Sequence, residues 1–365
     1  MNIPLADLKR QYLSIKPEID SAIQEVINDS AFVLGKYVKK FEEEYAGYCG
    51  VKHCVGLNSG TDALFLSFLA IGLKPGDEVI SVPNTFFATT EYLGHIGVKP
   101  VFVDVDPKTY LIDVSKIEAS ITSRTKAIIP VHLYGQMANM QEICRIAGKY
   151  NLKVIEDCAQ AHGAEQNKKR AGCFGDIGIY SFYPGKNLGA YGDAGCMVTN
   201  NNEYAEFVRL SRDHGRKTKY EHIKEAYSSR MDGIQAAILS VKLRHLDQWV
   251  EQRRQVAKSY NELLPSNVSK PFEERDNKHS YHIYAIQTEK RDELLVHLKS
   301  KGVEAGIHYP VPLHFQPAYS YLNIKEGILS VAEHHAKTTL SLPIFPEMTS
   351  EEVEYVVNCV REFFA

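Results

Sequence analysis

The sequence is poor in the features that mark several large classes of protein. Its 365 residues carry a net charge of only −3. A protein built to hold nucleic acid generally shows a basic excess, so no nucleic-acid partner is expected. No apolar run approaches the roughly 20 residues needed to span a bilayer, so no membrane partner is expected. The start, MNIPLADLKRQY, carries charges where an export signal needs an apolar stretch, and the expected location is cytoplasmic. The seven cysteines (Cys49, Cys54, Cys144, Cys158, Cys173, Cys196 and Cys359) are odd in number and widely spaced, with no C-x-x-C pair. Neither a disulfide framework nor a zinc site is indicated, and no metal is expected. Internal repeats and low-complexity tracts are missing. No G-x-G-x-x-G opens an early βαβ unit, which leaves a dinucleotide-dependent dehydrogenase without support.

What is present is an ordinary globular composition, 44% hydrophobic and 24% charged, in a chain long enough for a large core and a second domain. Between residues 50 and 200, apolar runs alternate with helical patterns. The runs are CVGL (54–57), EVISV (78–82), PVFVDV (100–105), AIIPVH (127–132), KVIED (153–157), IGIYSF (177–182) and CMVT (196–199). Several are apolar on consecutive residues, as strands buried on both faces are. Helix-like segments lie between them: DALFLSFLAIG (62–72), SKIEASI (115–121) and MQEICRIAGKY (140–150). Alternating units of this kind predict an α/β fold with a mostly parallel sheet of about seven strands. Residues 230–260 read as one long interdomain helix. A Pro- and charge-rich stretch (265–279) precedes a smaller α/β segment: HSYHIYAIQT as a strand, DELLVHLKSKG and SEEVEYVVNCVREFF as helices. The expected division is a large domain over 1–245 and a smaller one over 246–365.

The chemistry concentrates in KVIEDCAQAHGAEQNKKRAGCFGDIGIYSFYPGKNLGAYGDAG (153–195). Asp157 ends an apolar strand, where a doubly wound sheet presents its ligand-binding edge. A carboxylate there can pair with a protonated pyridine nitrogen and keep the ring an electron sink, or it can simply cap a helix. Lys186 follows the strand IGIYSF in a Gly- and Pro-bounded turn. Most lysines are solvated surface groups, but a desolvated one loses its proton more readily and can form an imine with an aldehyde. Ser59-Gly60-Thr61, between a strand and a helix start, offers backbone N–H groups and hydroxyls to an anion, or serves as an ordinary N-cap. Ser181 can add a hydroxyl to the same phosphate. The run NKKRAGC (167–173) reads as a surface turn.

Together these pieces resemble the DegT/DnrJ/EryC1/StrS sugar aminotransferases, which have the aspartate-aminotransferase type fold. The resemblance runs from PLADLKRQY to HYPVPLHFQPAY (308–319) and SLPIFPEM (341–348). Its motifs are SGTDAL, NTFFATT, VHLYGQ, IEDCAQAHGA, SFYPGKN, GDAG and SRMDGIQAAIL, in that order. It implies pyridoxal 5'-phosphate as cofactor, with Lys186 as the Schiff-base lysine and proton shuttle. Asp157 would hold the pyridine nitrogen, Gln160 the ring hydroxyl, and His162 would support Asp157. Phe86 would stack on the ring, a position equally suited to a core aromatic. Gly60, Thr61 and Ser181 would hold the phosphate. A homodimer with shared sites is implied. The partner's contribution would come from YSSRMD (227–232), where family members often read Asn-x-Arg; this chain has Ser228 in the asparagine's place, a shorter donor. Arg230 matches and suits the amino donor's carboxylate, or a surface ion pair. Lys219, Tyr220 and His222 resemble the segment that reaches a sugar nucleotide from the partner, though RDHGRKTKY reads equally as a solvated loop. His308, Tyr309 and His314 resemble the substrate-side loop.

The implied reaction moves an amino group from L-glutamate to a nucleotide-linked keto sugar, for a surface polysaccharide or glycoconjugate. FYPGKNLG with GDAG resembles members that act at C-3 of dTDP-3-keto-6-deoxyhexoses. Members acting on UDP-linked 3-keto-uronic acids carry a similar stretch, whereas many 4-keto enzymes have histidine at the place of Tyr183. Two competitors remain from other classes. A sugar dehydratase of the same fold would replace the lysine with histidine, and Lys186 stands against it. A scaffold or regulator that keeps the cofactor without turnover is opposed by intact Lys186, Asp157 and Gln160.

Overall fold

Seven short strands form one sheet in a computed structural model that describes all 365 residues, Met1–Ala365. They are β1 (His53–Leu57), β2 (Glu78–Ser81), β3 (Lys99–Phe102), β4 (Thr125–Ile128), β5 (Lys153–Asp157), β6 (Ile177–Ser181) and β7 (Gly195–Thr199). Each lies within or beside one of the seven apolar runs. Their spatial order is β1-β7-β6-β5-β4-β2-β3. Only β7 runs against its neighbours; the other pairings are parallel. The consecutive apolar residues are explained by the two cores they feed. Along β7, Met197 joins one buried cluster while Cys196 and Val198 join the other; along β6, Ile177 and Ile179 oppose Tyr180 in the same way. Strand side chains alternate between faces, so a strand apolar at every position has a core on each side.

This topology sets the site. Because β1, β5 and β6 run parallel, their C-terminal ends share one edge of the sheet. Asp157 stands at the end of β5, Ser181 at the end of β6, and the helix Gly60–Ala70 begins just beyond β1. The antiparallel return from β6 to β7 throws residues 182–194, with Lys186, over that same edge.

The helix expected over 230–260 is broken in two, Gly233–Leu243 and Leu246–Leu263. At the break, Arg244 and His245 bond three residues back, to Val241 and Lys242, which tightens the chain out of α geometry. Their side chains both reach Glu18, at 2.8 and 3.0 Å. Beyond it, the strands Tyr284–Gln287 and Thr339–Leu342 pair antiparallel and carry the helices Arg291–Ser300 and Ser350–Phe364. The second core holds 22 buried residues, and Ile3 is one of them. Ile3 bridges to Val303, and Arg10 grips Glu352 with two bonds of 2.9 Å. The first residues thus belong physically with the C-terminal unit, a return that a contiguous division at 245 does not express.

The run 167–173 does more than turn. Asn167 and Lys168, both at positive φ, join the short strands Glu165–Gln166 and Lys169–Arg170. The chain then wraps the buried carboxylate of Glu156, which accepts N–H bonds from Gly172, Phe174 and Gly175 at 2.7–3.0 Å. That wrapping anchors the entry to β6 against β5, the two strands that carry Ser181 and Asp157.

Candidate active site

A cleft of about 720 Å³ opens at the C-terminal edge of the sheet. The C-terminal unit closes it from the far side with Arg253, His282, His308 and Ile344, and the N-terminal segment adds Leu5 and Ala6. Lys186 lies on its floor. The turn that holds the lysine is stapled from below: Asn187 Nδ2 donates to Ser280 O at 2.9 Å and Lys242 Nζ to Gly189 O at 2.6 Å. Gly189 itself has no room for a side chain, since a Cβ there would meet Pro184 O at 2.2 Å. Burial pushes the Lys186 ammonium down to about 8, with the Asp157 charge acting in the opposite direction.

Asp157 is buried across the cleft floor. Its Oδ2 accepts from Thr89 Oγ1 at 2.7 Å and its Oδ1 from Ala159 N at 3.1 Å. Burial pushes this carboxyl up, while the Thr89 and Ala159 bonds and Lys186 pull it down. Gln160 is oriented by its neighbours. Its Oε1 accepts the Tyr134 backbone N–H at 2.8 Å, so its amide nitrogen is left to donate, and it reaches the Tyr309 hydroxyl at 3.1 Å. Tyr134 adopts a left-handed backbone (φ 61°) to point its N–H that way. Phe86 and Tyr309 stand together at the mouth with ring centroids 5.9 Å apart, and Phe86 is 57% exposed. That exposure argues against a core role for Phe86.

The anion cradle is built from backbone. Ser59 caps the helix Gly60–Ala70 by accepting from Asp62 N at 3.0 Å, leaving the first N–H groups directed out of the helix start. Gly60 is pressed against Ser181: a Cβ would lie 2.7 Å from that serine's Cβ. Gly195 is pressed against Ser59 in turn, with 2.3 Å to its carbonyl carbon. Only glycine at both places lets β1, β6 and β7 end so close together. A half-buried amine, a buried carboxylate and a helix start, all on one cleft, fit pyridoxal phosphate: an aldehyde, a ring nitrogen and a phosphate need those three partners.

Gly60, Thr61, Phe86, Asp157, Gln160, Ser181, Lys186, His308 and Tyr309 all line this cleft. His308 bonds Ser341 Oγ at 2.8 Å, and burial with the nearby Lys186 pushes it down to about 4. His162 does not line it. The ring is fully buried between Tyr180 and Phe182, neither nitrogen has a partner, and it makes no bond to Asp157. The chain after β5 coils through successive turns, with Ala161 N bonded to Cys158 O and Ala164 N to Ala161 O, and these carry the ring into the core. His314 is likewise buried away from the cleft, 3.3 Å from Glu333. Its 3-10 turn, Leu313–Phe315, points the ring inward. Ser228, Arg230, Lys219, Tyr220 and His222 do not line the cleft of their own chain. The last three sit on or beside an exposed hairpin, Arg216–Thr218 with Glu221–His222, and Tyr220 is 83% exposed. Arg230 pairs with Asp213 at 3.3 Å. The residues not anticipated are Thr85, Thr89, Tyr134, Arg253 and His282. Of these, Thr85 and Thr89 lie inside the motif NTFFATT, where two threonines four apart, one before the helix Ala88–His95 and one in its first turn, were the available signal.

The chain matches the DegT/DnrJ/EryC1/StrS aminotransferase family over residues 13–361. Three curated relatives align along nearly the whole of both chains. A pleiotropic regulatory protein of Geobacillus stearothermophilus is 50% identical over 100% of this chain and 99% of its own. The UDP-N-acetyl-3-dehydro-alpha-D-glucosamine 3-aminotransferase of Acidithiobacillus ferrooxidans is 42% identical over 98% and 97%. The dTDP-3-amino-3,4,6-trideoxy-alpha-D-glucose transaminase of Streptomyces venezuelae is 40% identical over 99% and 96%. A crystal structure of S. venezuelae DesV in complex with a ketimine intermediate superposes with a TM-score of 0.97 at 40% identity, covering 99% of this chain and 98% of that one.

Proposed function

The chain belongs to the DegT/DnrJ/EryC1/StrS aminotransferase family and is a pyridoxal-phosphate-dependent nucleotide-sugar aminotransferase; from that premise we propose that it aminates C-3 of a dTDP-linked 3-keto-6-deoxyhexose, with L-glutamate as amino donor. The observation that carries the chemistry is Lys186 on the cleft floor opposite Asp157, its ammonium pushed down to about 8. Support for C-3 comes from the segment FYPGKNLG with GDAG, and from relatives of about this similarity whose names place an amino or keto group at C-3.

When bound, pyridoxal phosphate supplies an aldehyde to receive the amino group and a cationic ring to absorb the charge left on carbon. The chain's own residues do the rest. N–H groups of Gly60 and Thr61, with the Ser181 hydroxyl, hold the phosphate dianion at the positive end of the helix Gly60–Ala70. Asp157 keeps a carboxylate at the ring nitrogen. Gln160, its oxygen already committed to Tyr134, donates to the ring hydroxyl. Phe86, exposed at the cleft mouth, would stack on the ring and exclude water there. Lys186 Nζ would hold and move the proton that accompanies amino-group exchange, a task suited to an amine that is half neutral near pH 8.

A second copy of the chain completes the site in this reading. Ser228, Arg230, Lys219, Tyr220 and His222 lie off their own cleft, and three of them project on a hairpin, as residues serving a neighbour's cleft would. Arg230 then meets the donor carboxylate, and the hairpin meets the sugar nucleotide. The 50% identical relative is named for regulation; Lys186, Asp157 and Gln160 gathered on one cleft favour turnover over a scaffold role.

A visible spectrum of the purified protein tests the proposal. The band of lysine-bound cofactor should fade with L-glutamate and return with dTDP-3-keto-6-deoxyglucose. Fading without return keeps the aminotransferase but redirects the acceptor to UDP-linked 3-keto-uronates or 4-keto sugars. No band with cofactor added would overturn the Lys186 assignment.

A further inference from the structure

The first turn of the helix Ala88–His95 does more for the cleft than bring Phe86 to its mouth. Thr89 Oγ1 lies 2.7 Å from Asp157 Oδ2 and 2.9 Å from Thr85 Oγ1. All three side chains are buried, exposed by no more than 5%. A hydroxyl has one proton to give, and a carboxylate has none. Thr89 must therefore donate to Asp157, and its contact with Thr85 can only be a bond that it accepts. The pair of threonines forms a chain with one direction, Thr85 to Thr89 to Asp157.

We propose that Thr89, oriented by Thr85, is a positioning residue that fixes the Asp157 carboxylate for the cofactor's ring nitrogen. This rests on the role given to Asp157 above. The carboxylate has two donors in the protein, one on each oxygen: Ala159 N on Oδ1 and Thr89 on Oδ2. Two donors on opposite oxygens lock its rotation and leave the remaining lone pairs for the ring. Burial works against ionisation here, and the Thr89 bond is the largest influence opposing it. Without that hydroxyl, Oδ2 is a buried acceptor with no donor from the protein, and the acid is pushed towards its neutral form. A neutral Asp157 cannot hold a proton on the ring nitrogen as an ion pair. Thr85 enters because a hydroxyl that accepts one bond donates more strongly to the next. The backbone adds a link: Thr89 N bonds Phe86 O at 3.2 Å, so the residue that covers the ring and the residue that orients Asp157 share one turn.

The test uses the cofactor-loaded protein and its cofactor-free form, in wild type, Thr89→Val, Thr89→Ser and Thr85→Val. Two quantities are read: the pH at which the visible band changes, and the cofactor dissociation constant by titration of the free protein. Valine matches threonine in shape and lacks the hydroxyl. Thr89→Val should move the pH midpoint up by about one unit, because a ring without its positive charge no longer repels a proton on the lysine nitrogen. It should also weaken cofactor binding roughly ten- to a hundredfold, the range for a bond to a charged group. Thr89→Ser should restore both, and Thr85→Val should shift both in the same direction by less. A Thr89→Val protein with wild-type midpoint and dissociation constant overturns the proposal. If Thr89→Val does not fold, Thr85→Val decides: an unmoved midpoint overturns it, an upward shift supports it. A wild type that never acquires the band defeats the functional reading itself, whereas a normal wild type with silent threonine variants defeats only this one.

Discussion

Replacing Lys186 with methionine should stabilise the cofactor-free protein at neutral pH, although it removes the amine proposed to carry catalysis. In the unfolded chain this amine titrates near 10.5; in the fold, burial brings it down to about 8. Between those values the unfolded state binds more protons, so stability rises with pH across that window. Below pH 8 the penalty for holding a buried ammonium is fully present. A shift of that size corresponds to roughly 3 kcal/mol. The amine keeps one face on the water of the cleft, which screens the charge, and we expect about 1–2 kcal/mol to survive. Asp157 loses its neighbouring cation in the variant, which takes back part of the gain. Methionine is close in length, so packing changes little. Urea unfolding of the cofactor-free proteins at several pH values measures the effect. The advantage of Lys186→Met should be largest at or below pH 7.5 and vanish as pH approaches 10.5. A variant less stable than wild type at pH 7, or an advantage that does not change with pH, would refute the reasoning.

Gly60→Ala drives a Cβ to 2.7 Å from Ser181, where ordinary contact begins at 3.4 Å. The helix start must then part from β6, at a cost of about 1–3 kcal/mol in thermal stability and a loss of cofactor affinity; unchanged affinity in calorimetry would show that the cradle is not there. Mixing Lys186→Ala with Arg230→Ala protein should recover measurable activity that neither variant has alone, since a mixed dimer holds one site with both residues intact. No recovery, in a mixture shown by native mass spectrometry to exchange subunits, would place Arg230 outside the partner's site.

Most strands were legible because they are buried at nearly every residue and so are largely apolar at successive positions, a pattern local to four or five residues; β3 and β4 each expose one lysine, Lys99 and Lys126. The helices Met140–Tyr150 and Ser350–Phe364 were equally legible, having their own caps: Asn139 bonds Glu142 N, and Thr349 forms a capping box with Glu352. Where contacts distant in sequence decide geometry, reading failed. The break at Arg244–His245 coincides with contacts to Glu18, more than two hundred residues away, and nothing in the local pattern marks it. His162 belongs to a motif whose earlier residues face the cleft, but the turns that follow β5 carry its own side chain into the core. His314 sits in a loop whose earlier residues line the cleft, and its short helical turn directs it to Glu333.

By itself, then, the sequence determined the doubly wound sheet and singled out Lys186 and Asp157 as candidate reactive groups, because strand periodicity and functional-group chemistry are properties of short segments. Tertiary structure decided which side chains share the cleft. The state of the Lys186 amine, the direction of the Gln160 amide and the Thr85–Thr89 support of Asp157 all arise where β5, β6 and the helix Ala88–His95 converge. Desolvation and hydrogen-bond direction depend on neighbours brought together from as far as 149 residues apart in sequence, as Gln160 and Tyr309 are, and no local pattern records them.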